Sequence, residues 1–206
     1  MEMITSLAQY ITGILLKNNI IENEHLDIYI YGFEVLISGA LSLFIGLILG
    51  LMFSQLMECI VFLIVFVTLR KYCGGYHADI YLKCNTVFAI NIAIVMAILK
   101  LDFEYSCAVH MMLCVLCVLT YFVLLPIENI YKPITDEEKK KYRLIAVTLA
   151  FITVILSSVI YMYFIKSTIV MDMAMLSVAV SMIIEKLRKG ASCRRRNLRV
   201  AKKNTS

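Results

Sequence analysis

The sequence predicts an all-α, polytopic membrane protein with about six transmembrane helices and an amphipathic N-terminal helix lying in the interface. Three observations carry this. Of the 206 residues, 61% are hydrophobic, against roughly 45–50% in soluble domains. The mean hydropathy is +0.84. The apolar residues fall in blocks, several of them near the ~20 residues that cross a bilayer as a helix. A large water-soluble core is excluded.

Residues 3–17 open the chain with Ile4, Leu7, Ala8, Ile11, Ile14 and Leu15 at helical spacing. Thr5, Ser6, Gln9, Thr12 and Lys17 fall on other faces. The segment is short and only half apolar, so it is expected to lie in the interface. Glu2, with no basic region before it and no cleavage motif behind, argues against a removed leader. A polar stretch, Asn18 to Asp27, follows. Apolar blocks then occupy 32–53, 55–69, 79–99, 106–125, 143–165 and 168–187. Pro126 and Pro133 both sit in the fourth connection, where a helix has ended. The second block is short, and the apolar part of the third runs only from Val87 to Leu99. A re-entrant hairpin of blocks two and three is therefore an alternative to two full spans. The expected organisation is one membrane-embedded domain over 1–206. It comprises the interfacial helix 3–17, a bundle over 32–187 and a basic cytoplasmic tail over 188–206.

Charge sets the expected orientation. With a cytoplasmic N-terminus and six spans, all of the 20 lysines and arginines except Lys100 and Lys166 fall on the inner side. Both termini are accordingly expected in the cytoplasm. Lys186 to Lys203 carries nine cations and no acid. That suits an anchor on anionic lipid of the inner leaflet, or recruitment of an acidic peptide. The tail has no aromatic residue for stacking on bases, so no nucleic-acid partner is expected.

The seven cysteines are odd in number and mostly inside apolar runs, which is a poor disulfide framework. Most read as packed thiols. One stretch differs, Arg70-Lys71-Tyr72-Cys73-Gly74-Gly75-Tyr76-His77-Ala78-Asp79-Ile80-Tyr81-Leu82-Lys83-Cys84. It brings a base, two thiols, cations and a Gly-Gly pair to one inner membrane edge. A thiol is a useful nucleophile only as thiolate. Histidine can take its proton, and cations or a helix N-terminus stabilise the anion. Gly74-Gly75 permits unusual backbone angles and exposes N–H groups toward an oxyanion.

Geometry leaves two readings open. Seven residues of straight helix rise about 10.5 Å, too far for His77 to reach Cys84 directly. A dyad needs His77 on a loop folded over the helix start, with Asp79 as N-cap. Otherwise Arg70, Lys71 and His77 are inside-facing anchors and Cys84 a packing thiol. A zinc site from Cys73, His77 and Cys84 lacks a fourth ligand and matches no common spacing, so no metal and no cofactor is expected. His110 and Cys114 stand four apart on a helix without cations or glycines nearby. They read as packed residues, as does Cys114-x-x-Cys117.

Arg70, Gly75, His77, Ala78 and Cys84, set between two short spans, resemble the AgrB family of quorum-sensing peptide processors. The amphipathic start, Tyr31-Gly32-x-Glu34, Pro126-Ile127-Glu128-Asn129 and Lys132-Pro133 fit the same pattern, so the resemblance covers nearly the whole chain. It implies a membrane cysteine endopeptidase, with Cys84 as nucleophile and His77 as base. The implied partner is an AgrD-like precursor peptide, cut near its C-terminus and closed into a thiolactone or lactone. Arg70, Lys71, Gly74, Gly75, Asp79 and Glu34 are the expected supporting residues. A non-enzymatic peptide exporter is the alternative. It would need polar residues within several spans, whereas the chemistry picked out above sits at one inner edge.

Ser38, Ser42, Gly46 and Gly50 recur every four residues on the first span. Small residues let helices approach closely. The stripe suits either a homodimer face or packing within one subunit.

Overall fold

The computed structural model describes residues 3–73, 81–101, 104–125 and 136–204, with side chains at all of these except 136, 138, 139, 189 and 191–204. These residues form seven α-helices and one 3-10 turn, with no strand among them. The helices are α1 (Met3–Lys17), α2 (Leu26–Met52), α3 (Leu56–Cys73), α4 (Tyr81–Ile98), α5 (Cys107–Leu124), α6 (Asp136–Tyr161) and α7 (Ile165–Asn204). Five are long and apolar enough to cross a membrane: α2, α4, α5, α6 and the first part of α7. Helix α3 matches α4 and α5 at 18 residues but carries Glu58, Arg70 and Lys71 near its ends.

Two compact units emerge, 1–59 with 78–97, and 60–77 with 98–206. In the first, α1 packs on α2. Its buried stripe is Ile4, Ala8 and Thr12, while Leu7, Tyr10 and Ile14 stay exposed. Periodicity had put Thr12 on a polar face. Its hydroxyl instead bonds the Ala8 carbonyl at 2.8 Å, which satisfies the polar atom and lets a small side chain pack closely. Asn19 ends α1 in the left-handed region, φ 55°. Ile20 N–H reaches the Leu15 carbonyl and Asn19 N–H the Leu16 carbonyl, both at 3.0 Å, so the last carbonyls are satisfied. Helix α2 begins six residues before the expected span, with Asp27 in its first turn, where the helix dipole favours an acid.

Ser54, with φ 56°, turns the chain from α2 into α3. Close approach follows at once. A Cβ on Gly50 would lie 2.7 Å from that of Cys59, and the Cys59 thiol donates to the Gly46 carbonyl at 3.1 Å. Ser38 and Ser42 on the same stripe bond Asn85 of α4. All four small residues are thus engaged by α3 and α4 of the same chain, so of the two uses expected for the stripe it has the one within a subunit.

In the second unit, α7 is the central element. Over half of its span, 56%, is buried, against 22% or less in the other four spans. Val170, Met171, Ala174, Met175, Val178 and Met182 fill its enclosed faces. Tyr121 of α5 is also buried and donates to the Met175 carbonyl at 2.6 Å. Ser106 caps α5, accepting from the Val109 N–H. Leu125 turns extended before Pro126, as the ring requires. The turn between α6 and α7 falls at residues 162–164, earlier than the polar Lys166-Ser167 suggested. Its residues are apolar, so hydropathy gave no sign of it. Helix α6 also starts before the expected 143, because its Glu- and Lys-rich first turns are good helix formers.

Candidate active site

Cys84 lies three residues into the described part of α4 and is half-buried. The helix that carries it is held to α2 at two points on one face. Tyr81 donates its hydroxyl to Glu34 Oε2 at 3.0 Å. One turn on, Asn85 Oδ1 accepts from Ser42 Oγ at 2.8 Å and from Ser38 Oγ at 3.2 Å. Asn85 is 3% exposed, and its Nδ2 has no hydrogen-bond partner among the described residues. Residues 81 and 85 are four apart, so both clamps act on the same stripe of α4. Cys84 stands beside that stripe, and its position relative to α2 follows from it.

Of the predicted residues, Cys84 and Glu34 are thus tied into one arrangement. Glu34 is among the supporting residues that the resemblance implies, and the structure gives it the Tyr81 hydroxyl as a partner. Arg70 and Lys71 occupy the last turn of α3, where the carbonyl end of a helix favours cations. The Arg70 guanidinium sits 5.5 Å over the Phe66 ring, and the Lys71 ammonium 5.5 Å from the Tyr72 ring. Both contacts lie within α3. They suit snorkelling stems that pack on apolar rings while the charge stays at the edge. His77, Gly74, Gly75 and Asp79 lie outside the described residues.

The Asn85 clamp carries a prediction. Asn85→Ala removes two interhelical acceptor contacts, each worth around 0.6 kcal/mol inside a membrane bundle. The variant is expected to lose about 1 kcal/mol in a denaturing-detergent titration. Thr86→Val should lose nothing, since Thr86 is exposed and its hydroxyl bonds its own helix at Leu82. Equal stability of Asn85→Ala and the unmodified protein would show that the clamp does not hold α4.

A second polar cluster lies inside the other unit. His110 Nδ1 is 2.6 Å from Asp172 Oδ2, and His110 Nε2 is 3.1 Å from Ser158 Oγ. The Tyr105 hydroxyl donates to the same Asp172 oxygen. Cys114 Sγ is 3.7 Å from Asp172 Oδ1 and 3.7 Å from His110 Nδ1. The Tyr161 ring stacks on the imidazole at 5.4 Å, and its hydroxyl donates to the Tyr105 carbonyl at 3.1 Å. Asp172 is fully buried and His110 is 1% exposed. His110 and Cys114 are packed, as expected, and they pack against the carboxylate of Asp172, for which spacing along the chain gave no partner. The available signal was a lone acid within an apolar span, which is costly and carries a role by default. Polar chemistry is therefore not confined to one membrane edge.

The comparisons with known proteins agree on one family. A family model described as Accessory gene regulator B matches residues 8–184. A protein named AgrB-like protein 2 from Clostridium perfringens strain 13 is 34% identical over 127 residues, 58% of this chain and 59% of its own length. The AgrB-like protein of C. perfringens strain SM101 is 31% identical over 146 residues, 68% of each chain. The chain thus spans under two thirds of the first relative and slightly more of the second. No solved structure matches.

Proposed function

The chain belongs to the accessory gene regulator B family, which is involved in quorum-sensing peptide processing, and we propose that it is a membrane cysteine endopeptidase. Its substrate on this reading is an AgrD-like precursor at the inner face of the bilayer, and both termini are cytoplasmic. Cys84 attacks the scissile carbonyl as thiolate after His77 takes its proton. The C–N bond breaks, and the imidazolium returns that proton to the departing amine of the C-terminal piece. An acyl thioester remains on Cys84. An internal thiol or hydroxyl of the peptide, its proton taken by His77, then attacks it; the C–S bond to Cys84 breaks, the proton passes to the released Cys84 sulfur, and a thiolactone or lactone leaves.

The observation that carries this reading is the setting of Cys84. It is a half-buried thiol near one end of α4, on a helix fixed to α2 on both sides of it. A rigid helix places a nucleophile better than a loop. Its partial burial limits water at the thioester, which hydrolysis would otherwise consume. Exchange between two thiols is nearly neutral in energy, and tethering the second one gives effective concentrations of ~10⁵ M or more. Arg70 and Lys71 serve as anchors or as contacts for the acidic end of the precursor, and the basic tail meets anionic lipid.

Trapping the intermediate tests this. The protein is co-expressed with a precursor whose ring-closing cysteine or serine is replaced by alanine. A covalent adduct, released by hydroxylamine and absent in Cys84→Ala, is the expected result. Cleavage that persists in Cys84→Ala would remove the nucleophile and the proposal with it.

A further inference from the structure

We propose that His110, Cys114 and Asp172 form a binding site for one divalent transition-metal ion of zinc-like preference, inside the α5–α7 unit and separate from the peptide chemistry. Their donor atoms lie within 4.8 Å of one another and all three residues are buried. Nitrogen, sulfur and oxygen in this combination are the ligands that zinc takes. The separations are close to the need. Bonds of roughly 2.0–2.3 Å at tetrahedral angles put ligand atoms about 3.3–3.6 Å apart. The Cys114 sulfur stands 3.7 Å from both His110 Nδ1 and Asp172 Oδ1. The 2.6 Å hydrogen bond between His110 Nδ1 and Asp172 Oδ2 must open to admit the ion.

Two further observations point the same way. Ligating histidines hold their second nitrogen on a partner, and ligating carboxylates are themselves hydrogen-bonded. Here Nε2 of His110 faces Ser158 Oγ, and Asp172 receives the Tyr105 hydroxyl. Binding would release the Cys114 thiol proton to the buffer as the metal–sulfur bond forms. The ligands come from α5 and α7, so the ion would cross-link the central helix of the unit to its neighbour and keep its fourth position for a non-protein ligand, as three-ligand zinc sites do.

Cobalt titration of the purified, chelator-stripped full chain in detergent is the test. Cobalt(II) binding is expected at one ion per chain, with a near-ultraviolet thiolate charge-transfer band. Cys114→Ser should lose the band, and Asp172→Asn should bind at least tenfold more weakly. Cys117→Ser, a buried thiol one turn along α5, should keep both band and affinity. Zinc should raise the melting temperature of the unmodified protein and leave that of Cys114→Ser unchanged, which separates metal binding from misfolding of the variant. A band that survives Cys114→Ser, or the absence of any band, would overturn the site.

Discussion

Cys84→Ser, His77→Ala and the double variant are expected to lose peptide processing to the same extent, several orders of magnitude below the unmodified protein. A nucleophile and its base act as one unit, so removing either leaves the other idle and the second loss adds little. The serine hydroxyl is the sharper probe of Cys84. It differs from the thiol by one atom but is intrinsically a far weaker nucleophile, because almost none of it is ionised near neutral pH. Cys73→Ser serves as the control. Cys73 is buried at the end of α3, and burial pushes its thiol up to about 12. It is thus held in the unreactive form, and its loss should leave processing near normal. Precursor cleavage, measured by mass spectrometry on membranes with matched protein levels, decides the matter. Additive losses in the double variant would mean that the two groups act in separate steps. Full activity of either single variant would end the dyad.

Asp172→Ala is expected to cost about 1–3 kcal/mol of stability in metal-free detergent for each donor orphaned, because His110 Nδ1 and the Tyr105 hydroxyl lose their buried acceptor. Removing one partner of a buried pair leaves the other without compensation, in a site where water cannot replace it. Asp172→Asn keeps an acceptor for both and should cost much less, about 1 kcal/mol. The contrast between the two substitutions is the diagnostic. Unfolding in denaturing detergent with a chelator present reads it directly, and near-equal losses would mean that the carboxylate's charge, and not its acceptor oxygens, holds the site. Because α7 is the central element of its unit, the alanine variant should also lower the amount of protein recovered from membranes.

Much of this was legible in the chain before any coordinates. Block length and composition gave helices, because in lipid a backbone must satisfy its own hydrogen bonds. The Arg70–Cys84 stretch stood out because thiol, imidazole, cations and paired glycines converge in sequence. Helix ends were less legible. Polar residues at 136–142 were read as loop, yet Glu and Lys propagate a helix well. The α6–α7 turn is built of apolar residues, so hydropathy passed over it.

The sequence alone determined the all-helical membrane character, the family and the candidate nucleophile, since each depends on residue type and local order. Tertiary structure alone decided who meets whom. Glu34 and Tyr81 are 47 residues apart, and His110 and Asp172 are 62 apart. No periodicity links such pairs, because they are joined by helix packing across the bundle and not by spacing along the chain. The same packing turned the small-residue stripe of α2 inward onto Cys59 and Asn85, a choice that its spacing left open.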